Sequence, residues 1–177
     1  MADVLAEAPK RLAKELAELE AGTDFLLIDA GSGLGPSIAT IAGAADGLVL
    51  VTTPEPTSVA DAHASLRRFN RNTVIRLVVT QAHSNSEGSE CLARIAASSR
   101  HFLGMVVSPL GFIRSDPHVP QAVRMRKPFV TAYPNSLAAR GVRRLAETLI
   151  DERRPRPPRP GFFTSLAARW NLGRVAS

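Results

Sequence analysis

Cysteine and aromatic residues are scarce in this 177-residue sequence, which has one Cys and only 5% Phe, Trp and Tyr. The one thiol, Cys91, has no partner for an internal disulfide, so a disulfide-stapled fold is excluded and a reducing compartment is expected. We interpret Cys91 as a packed or half-buried thiol and not as a nucleophile. With 45% hydrophobic and 21% charged residues the composition is ordinary for a globular protein, which excludes a wholly disordered chain.

Long hydrophobic runs are also missing. The strongest apolar stretches are Phe25–Ile28 and Gly47–Thr52, and both fall far short of the roughly 20 residues that span a bilayer. The N-terminus carries acidic residues and lacks an apolar core followed by a small-residue cleavage site, so no secretory signal is predicted. We expect a cytoplasmic protein.

Positive charge is unevenly distributed. Residues 1–150 contain 16 Lys and Arg against 14 Asp and Glu, whereas residues 151–177 contain 6 against 2. A uniformly basic domain that coats nucleic acid is therefore a poor interpretation, and no specific nucleic-acid partner is expected. The pattern favours a nearly neutral globule with a cationic appendage for an anionic surface or partner.

Short apolar runs alternate with helical patterns along the chain. The predicted strands are 25–28, 48–52, 74–79 and 103–113. The predicted helices are 3–21, 36–45, 57–69, 87–99, 117–126 and 135–150, with Thr57 or Ser58 and Ser136 as N-caps. Continuously apolar strands are buried on both faces, so the fold class is α/β with a mostly parallel, doubly wound sheet.

Three regions are predicted: an α/β domain over 1–150, a Pro/Arg-rich spacer over 151–160 and an amphipathic tail over 161–177. The spacer contains PRPPRP, which favours a stiff, extended conformation. If the tail is helical, one face carries Phe162, Phe163, Leu166 and Trp170. This face suits an anionic membrane surface, and the alternatives are docking on protein or disorder.

The sharpest motif is DFLLIDAGSGLGPS, in which an apolar run ends in Asp29 and continues through Gly31 and Gly33. A carboxylate at the carboxyl end of a strand is suited to hold hydrated Mg²⁺ beside nucleotide phosphates, although such a residue also caps helices. A dinucleotide fingerprint with Glu55 as the ribose-binding acid is a remote alternative, because the glycines read GxGxG and not GxGxxG.

Three strings carry a family resemblance: DFLLIDAGSG, LVLVTTPEPTSVADA and LGFIRSDPHVPQAVRMRKPFVTAYPNSLAARGVRRLA. In this order they resemble the MinD/ParA group of deviant-Walker ATPases, and within it the flagellar-number regulators called FlhG or YlxH. The resemblance implies a P-loop NTPase-like fold that binds ATP, dimerises around nucleotide and switches membrane and partner binding. It places Asp29 at the Walker B carboxylate, Thr80 where the family has an adenine-reading Asn, and Arg114 and Asp116 in the segment that closes over the base.

The chain departs from this family in lacking the KGGxGKT phosphate loop; no GK[ST] occurs in it. It resembles the C-terminal two thirds of such a regulator, incomplete at the N-terminus. The phosphate loop supplies most of the phosphate contacts, so ATP and Mg²⁺ are implied by the resemblance but both could be absent from this chain. We expect a non-catalytic regulator of flagellar placement or number at the inner membrane face, which binds a flagellar assembly or regulatory protein and could form a homodimer. The alternative is a slowly hydrolysing ATPase whose start is truncated.

Overall fold

The computed structural model describes residues 15–31, 36–71, 73–152 and 161–175, without the side chains of 36–37 and 170–175. The chain divides into two compact units. The sheet unit comprises Gly47–Arg67 and Val74–Pro155, and the helical unit comprises Met1–Asp46, Arg68–Thr73 and Arg156–Ser177. Within the described residues the helices are α1 (15–21), α2 (Pro36–Ala44), α3 (Pro56–Leu66), α4 (Asn85–Ser98), α5 (His118–Arg124), α6 (Phe129–Ala132), α7 (Leu137–Asp151) and α8 (Phe162–Val175).

The sheet unit is built on three parallel strands in the order β1-β2-β3: β1 (Leu48–Thr52), β2 (Ile75–Ala82) and β3 (Val107–Arg114). Leu48 is in register with Ile75, which is in register with Val107. The predicted strand 48–52 is confirmed. The third strand begins four residues later than predicted, because Ser99–Leu103 continues α4 as a π-helical turn that ends at left-handed Gly104.

Helices cover both faces of β3. Gly88 of α4 lies against Phe112, and Gly141 of α7 lies against Ile113. Because successive residues of a strand point to opposite faces, α4 and α7 lie on opposite sides of the sheet. The α/β fold with a parallel, doubly wound sheet is therefore confirmed. The largest fully buried hydrophobic side chains are Leu66, Ile75, Leu77, Val79 and Ile95.

Two helices of the sheet unit begin with side-chain caps. Ser136 accepts a hydrogen bond from the Ala139 N–H at the start of α7, as predicted, and Ser84 accepts one from the Glu87 N–H at the start of α4. The predicted cap at Thr57 or Ser58 is wrong. Glu55 occupies the N-cap of α3 without a side-chain cap, and Pro56 begins the helix, because a proline at the first helical position needs no N–H partner.

The helical unit contains α1, α2 and α8. Close packing joins α2 to α8, since a Cβ on Gly43 would lie 2.6 Å from Arg169 Nη1. The carboxylate of Glu20, in α1, accepts hydrogen bonds from the N–H groups of Phe162 at 2.7 Å and Phe163 at 3.4 Å. A carboxylate there satisfies free amides and suits the positive end of the α8 dipole.

The predicted strand at Phe25–Ile28 is wrong. Residues 25–31 form neither helix nor strand, and Leu27 is 81% exposed. A parallel strand buried on both faces requires hydrogen-bonded neighbours, and the ladders found in the described parts of the chain join only β1, β2 and β3. An apolar run alone is therefore not enough to form a strand.

Candidate functional site

Hydrogen bonds join the polar groups at the carboxyl ends of β1 and β2. Thr80 Oγ1 donates to the Thr52 carbonyl at 3.2 Å, and Thr52 Oγ1 donates to the Ser58 carbonyl at 3.0 Å. Thr80, the predicted adenine-side residue, therefore uses its one hydroxyl hydrogen inside the fold. Only the lone pairs of its oxygen remain for a ligand.

Gln81 follows Thr80 in a left-handed conformation with φ 60°, and its side chain is exposed. Here the register between β2 and β3 shifts, between Val79 and Ala82. A non-glycine residue in this region is uncommon and carries strain, and such strain often occurs at functional sites. No sequence motif indicates this bulge, because glutamine is not a residue type typical of that conformation.

Arg114 ends β3 and ties it to the loop after β2. Its Nη2 donates to the His83 carbonyl at 3.0 Å, while its buried Nε has no acceptor among the described residues. The neighbouring Ser115 N–H donates to the Ala82 carbonyl at 2.8 Å. The predicted base-closing segment is thus fixed against the end of β2.

Asp116 is buried, at 7% exposure, and both carboxylate oxygens have partners. Oδ1 accepts from the His118 N–H at 2.9 Å and lies 2.7 Å from His118 Nδ1, and Oδ2 accepts from the Ala138 N–H at 2.9 Å. Burial alone would raise the pKa of Asp116, but hydrogen bonds from Ala138, His118 and Ser136 outweigh it and hold the pKa well below the usual range.

These partners give Asp116 a structural role in addition to the predicted one. The resemblance implies that its segment closes over a nucleotide base, and this stays a prediction. The structure uses the Asp116 carboxylate to join α5 to the start of α7. The first N–H groups of α7 need acceptors, and a buried carboxylate is stable only when donors surround it.

Asp29 lies in the irregular segment of the helical unit. Its Oδ1 accepts from the Gly31 N–H at 2.8 Å, and Gly31 has φ +72°, a conformation that favours glycine. This supports the turn-capping alternative for Asp29, while Gly33 lies outside the described residues. Asp29 belongs to one unit and Thr80, Arg114 and Asp116 to the other, so their meeting at one nucleotide stays a prediction.

The tail is helical over Phe162–Val175, but its two phenylalanine side chains are not fully exposed. Phe162 is only 5% exposed, and Phe163 and Leu166 are half-buried. Trp170 is within α8, although its side chain lies outside the described part of the structure. The Phe162 ring is thus already removed from water in this structure, and its assignment to membrane contact stays a prediction. The spacer 153–160 also lies outside the described residues.

ATP and Mg²⁺ fit the described residues poorly. The two carboxylates predicted near nucleotide are engaged, Asp116 through both oxygens and Asp29 through Oδ1. Triphosphate binding also requires clustered backbone N–H groups and a lysine, and the sequence has no GK[ST]. Among the described residues, no group of three or more His, Cys, Asp and Glu side chains could hold a metal ion.

Residues 1–150 match the family model described as cellulose biosynthesis protein BcsQ. The chain belongs to this family, which is of the ParA/MinD type. The membership supports the MinD/ParA resemblance and leaves the dinucleotide-binding alternative without support. Across the described residues, no helix combines the length and apolar character needed to cross a membrane.

Curated relatives include an antiactivator and a flagellum site-determining protein. The chain is 29% identical over 151 residues to the antiactivator FleN of Pseudomonas aeruginosa, covering 84% of this chain and 54% of FleN. It is 26% identical over 131 residues to the flagellum site-determining protein YlxH of Helicobacter pylori, covering 73% of this chain and 45% of YlxH. An uncharacterised ATP-binding protein of Methanocaldococcus jannaschii is 28% identical over 146 residues, covering 80% of this chain and 52% of that protein. The chain thus spans about half the length of these relatives.

Among solved structures, the MinD cell division protein of Aquifex aeolicus superposes with a TM-score of 0.58 at 18% identity. The match covers 85% of this chain and 64% of MinD. At this identity the similarity concerns the fold alone, and it agrees with the parallel sheet described above.

Proposed function

We propose that this chain is a ParA/MinD-type regulator of the FlhG kind, which controls the number or placement of flagella. The observation that carries the proposal is its similarity over most of its length to FleN and YlxH, whose names concern antiactivation and flagellar site selection. Both belong to control and not to the flagellar structure itself. The chain would therefore act through a flagellar assembly or regulatory protein.

We further propose that the protein is cytoplasmic and peripheral at the inner membrane face. Residues 151–177 contain six Lys and Arg against two Asp and Glu. This excess of positive charge supports attraction to anionic lipid. The Phe162 ring would insert only after leaving its present contacts, because it is buried in this structure. A homodimer is part of the same proposal, as expected for a ParA/MinD-type protein.

In this proposal the polypeptide is non-catalytic as it stands. The support is the engaged state of Asp116 and Asp29 together with a sequence that lacks the phosphate loop. The alternative, a slow ATPase, would need a phosphate loop from chain beyond these 177 residues. An in-frame segment encoding a strand and KGGxGKT upstream of Met1 would favour that alternative.

A second function is favoured by one observation, the family description, which names cellulose biosynthesis. Control of cellulose synthesis and control of flagella are distinguishable in one experiment. The gene would be deleted in a flagellated organism that encodes it, and flagella per cell and cellulose output would both be measured. We expect a changed flagellar number that the full chain restores, with cellulose output unaltered. A change confined to cellulose would overturn the flagellar proposal.

A further inference from the structure

A basic groove of about 480 Å³ lies beside β3 in the sheet unit. Phe112 and Arg114 contribute to it from the strand, Asn85 from the start of α4, and the remaining lining comes from α7. Four arginines line this groove, and Glu147 is its one acidic residue: the arginines are Arg114, Arg140, Arg143 and Arg144. We call this feature the arginine groove.

The charges on α7 run against its helix dipole. Arg140 lies in the first turn and Arg143 and Arg144 in the next, whereas Glu147 and Asp151 lie in the C-terminal part of the helix. Acidic residues are favoured at the beginning of a helix and basic residues at its end. The arrangement on α7 therefore opposes helix stability, and a local rule broken in this way is typical of a functional surface.

The groove also contains hydrogen-bonding groups that the fold does not use. Arg143 donates to the Pro134 carbonyl at 3.4 Å and Arg114 to the His83 carbonyl at 3.0 Å. In the described structure, however, the side chains of Arg140, Arg144 and Glu147 make no hydrogen bond or ion pair, even though Glu147 follows Arg144 by three residues. Two guanidinium groups and one carboxylate are thus exposed together without protein partners.

The chemistry of these groups selects the ligand. Arginine pairs with carboxylates through two parallel hydrogen bonds, and Phe112 and Leu137 supply apolar surface between the charges. A ligand made only of phosphate would meet Glu147 with like charge and offer it no donor. A peptide carries acidic side chains for the arginines, backbone N–H groups for Glu147 and apolar side chains for Phe112.

We propose that the arginine groove binds an acidic segment of a partner protein, one that intersperses Asp or Glu with apolar residues. This interaction surface goes beyond the proposed regulatory role and does not depend on it. Arg140 and Arg144 would pair with the partner's carboxylates, and Glu147 and Asn85 would fix the peptide backbone. Because paired charges in a partly desolvated groove dissociate slowly, the two arginines should dominate affinity.

The test uses the full chain and a fluorescein-labelled peptide of Asp, Glu, Leu and Gly, followed by fluorescence anisotropy. We expect saturable binding. The dissociation constant should rise by about tenfold or more when Asn and Gln replace Asp and Glu in the peptide. Arg140→Glu with Arg144→Glu should weaken binding of the acidic peptide by at least about the same factor. The matched control, Arg124→Glu with Lys127→Glu, changes net charge equally on an exposed surface outside the groove and should change binding by less than about twofold.

Two further measurements keep the outcome clear. Thermal unfolding of the Arg140→Glu, Arg144→Glu variant should show no large loss of stability, because the acid at position 140 in the first turn of α7 suits the helix dipole and offsets its repulsion of the acid at position 144. Inorganic phosphate and phosphatidylglycerol vesicles should compete poorly with the peptide. Equal weakening by the control pair, or competition by phosphate or vesicles as strong as that of unlabelled peptide, would overturn the proposal. A failure here leaves the flagellar phenotype untouched, so it is distinguishable from a failure of the proposed function.

Discussion

The Asp116 carboxylate accepts a hydrogen bond from the backbone N–H of Ala138, 22 residues further along the chain, at 2.9 Å. The same carboxylate accepts from the His118 N–H. One buried side chain therefore connects the segment after β3 to the beginning of α7. That connection also fixes the end of α7 on which Arg140 lies.

Replacing the Asp116 carboxylate should destabilise the folded state. We expect Asp116→Ala to lower the free energy of unfolding by about 2 to 4 kcal/mol, because a helix cap is lost and buried N–H donors are left without acceptors. Urea unfolding measures the change. The control is Asp61→Ala, at an exposed position of α3. It should change the free energy of unfolding by no more than about 0.5 kcal/mol. Similar losses in both variants would contradict the assignment.

Stability should also depend on acid in a defined direction. The pKa of Asp116 is lowered in the folded state, so the folded state binds its proton less readily than the unfolded chain does. The contribution is fully present above the unfolded pKa of about 3.9 and is lost as pH falls from there toward the lower folded pKa. Urea midpoints of the wild type and Asp116→Asn should therefore approach each other below about pH 4. A constant difference across this range would count against the prediction.

Nucleotide binding by this polypeptide should be absent. Isothermal titration of the full chain with ATP and Mg²⁺ should give no saturable signal, because phosphates would lack the cluster of N–H groups and the lysine that usually neutralise them. Saturable binding in the micromolar range would show that another segment supplies those contacts.

Asp29 should behave as a turn residue. We expect Asp29→Ala to cost about 0.5 to 2 kcal/mol of stability and to leave partner and membrane binding intact. Asp29→Asn is the matched control, since its side-chain oxygen can still accept from the Gly31 N–H. A loss of binding without any change in urea midpoint would instead indicate a magnesium site.

The docking of α8 should depend on Glu20. Glu20→Ala removes the acceptor for the Phe162 and Phe163 N–H groups, so hydrogen exchange of the α8 amides should accelerate. Glu18→Ala, exposed on the same helix, is the control and should leave exchange unchanged. Should α8 insert into membranes after release, Glu20→Ala would also increase co-sedimentation with anionic vesicles, and Trp170→Glu would reverse that gain more than Ala168→Glu.

Local sequence patterns predict the strands and helix caps of the sheet unit well. They do not predict which groups surround its side chains. The apolar run Leu48–Thr52 forms β1 because β2 is available to pair with it, whereas Phe25–Ile28 is just as apolar and forms no strand. Ser136 was predictable as a cap, since a serine before a helical pattern acts locally. The role of Asp116 depends on Ala138, which lies far along the chain, and no spacing rule indicates that contact.

At the candidate site, too, the sequence indicates residues but not the contacts that they make. The family resemblance indicates Thr80, Arg114 and Asp116. The structure alone shows that the Thr80 hydroxyl hydrogen, Arg114 Nη2 and the Asp116 carboxylate already have partners within the fold. The arginine groove was not predicted at all. Arg140 and Arg144 appear ordinary in a helical pattern, and their significance depends on the tertiary arrangement that brings Phe112 and Asn85 beside them.

Gly88 brings α4 so close to β3 that an added Cβ would lie 2.5 Å from Phe112 Cγ. Asn85, on the wall of the arginine groove, is three residues earlier on the same helix. Because Gly88 has no side chain, α4 can lie this close to Phe112, and this contact sets the distance between Asn85 and Phe112 in the groove. Any larger residue at position 88 would force α4 or Phe112 to shift. The width of the groove therefore depends on a position that no ligand in the groove would need to contact.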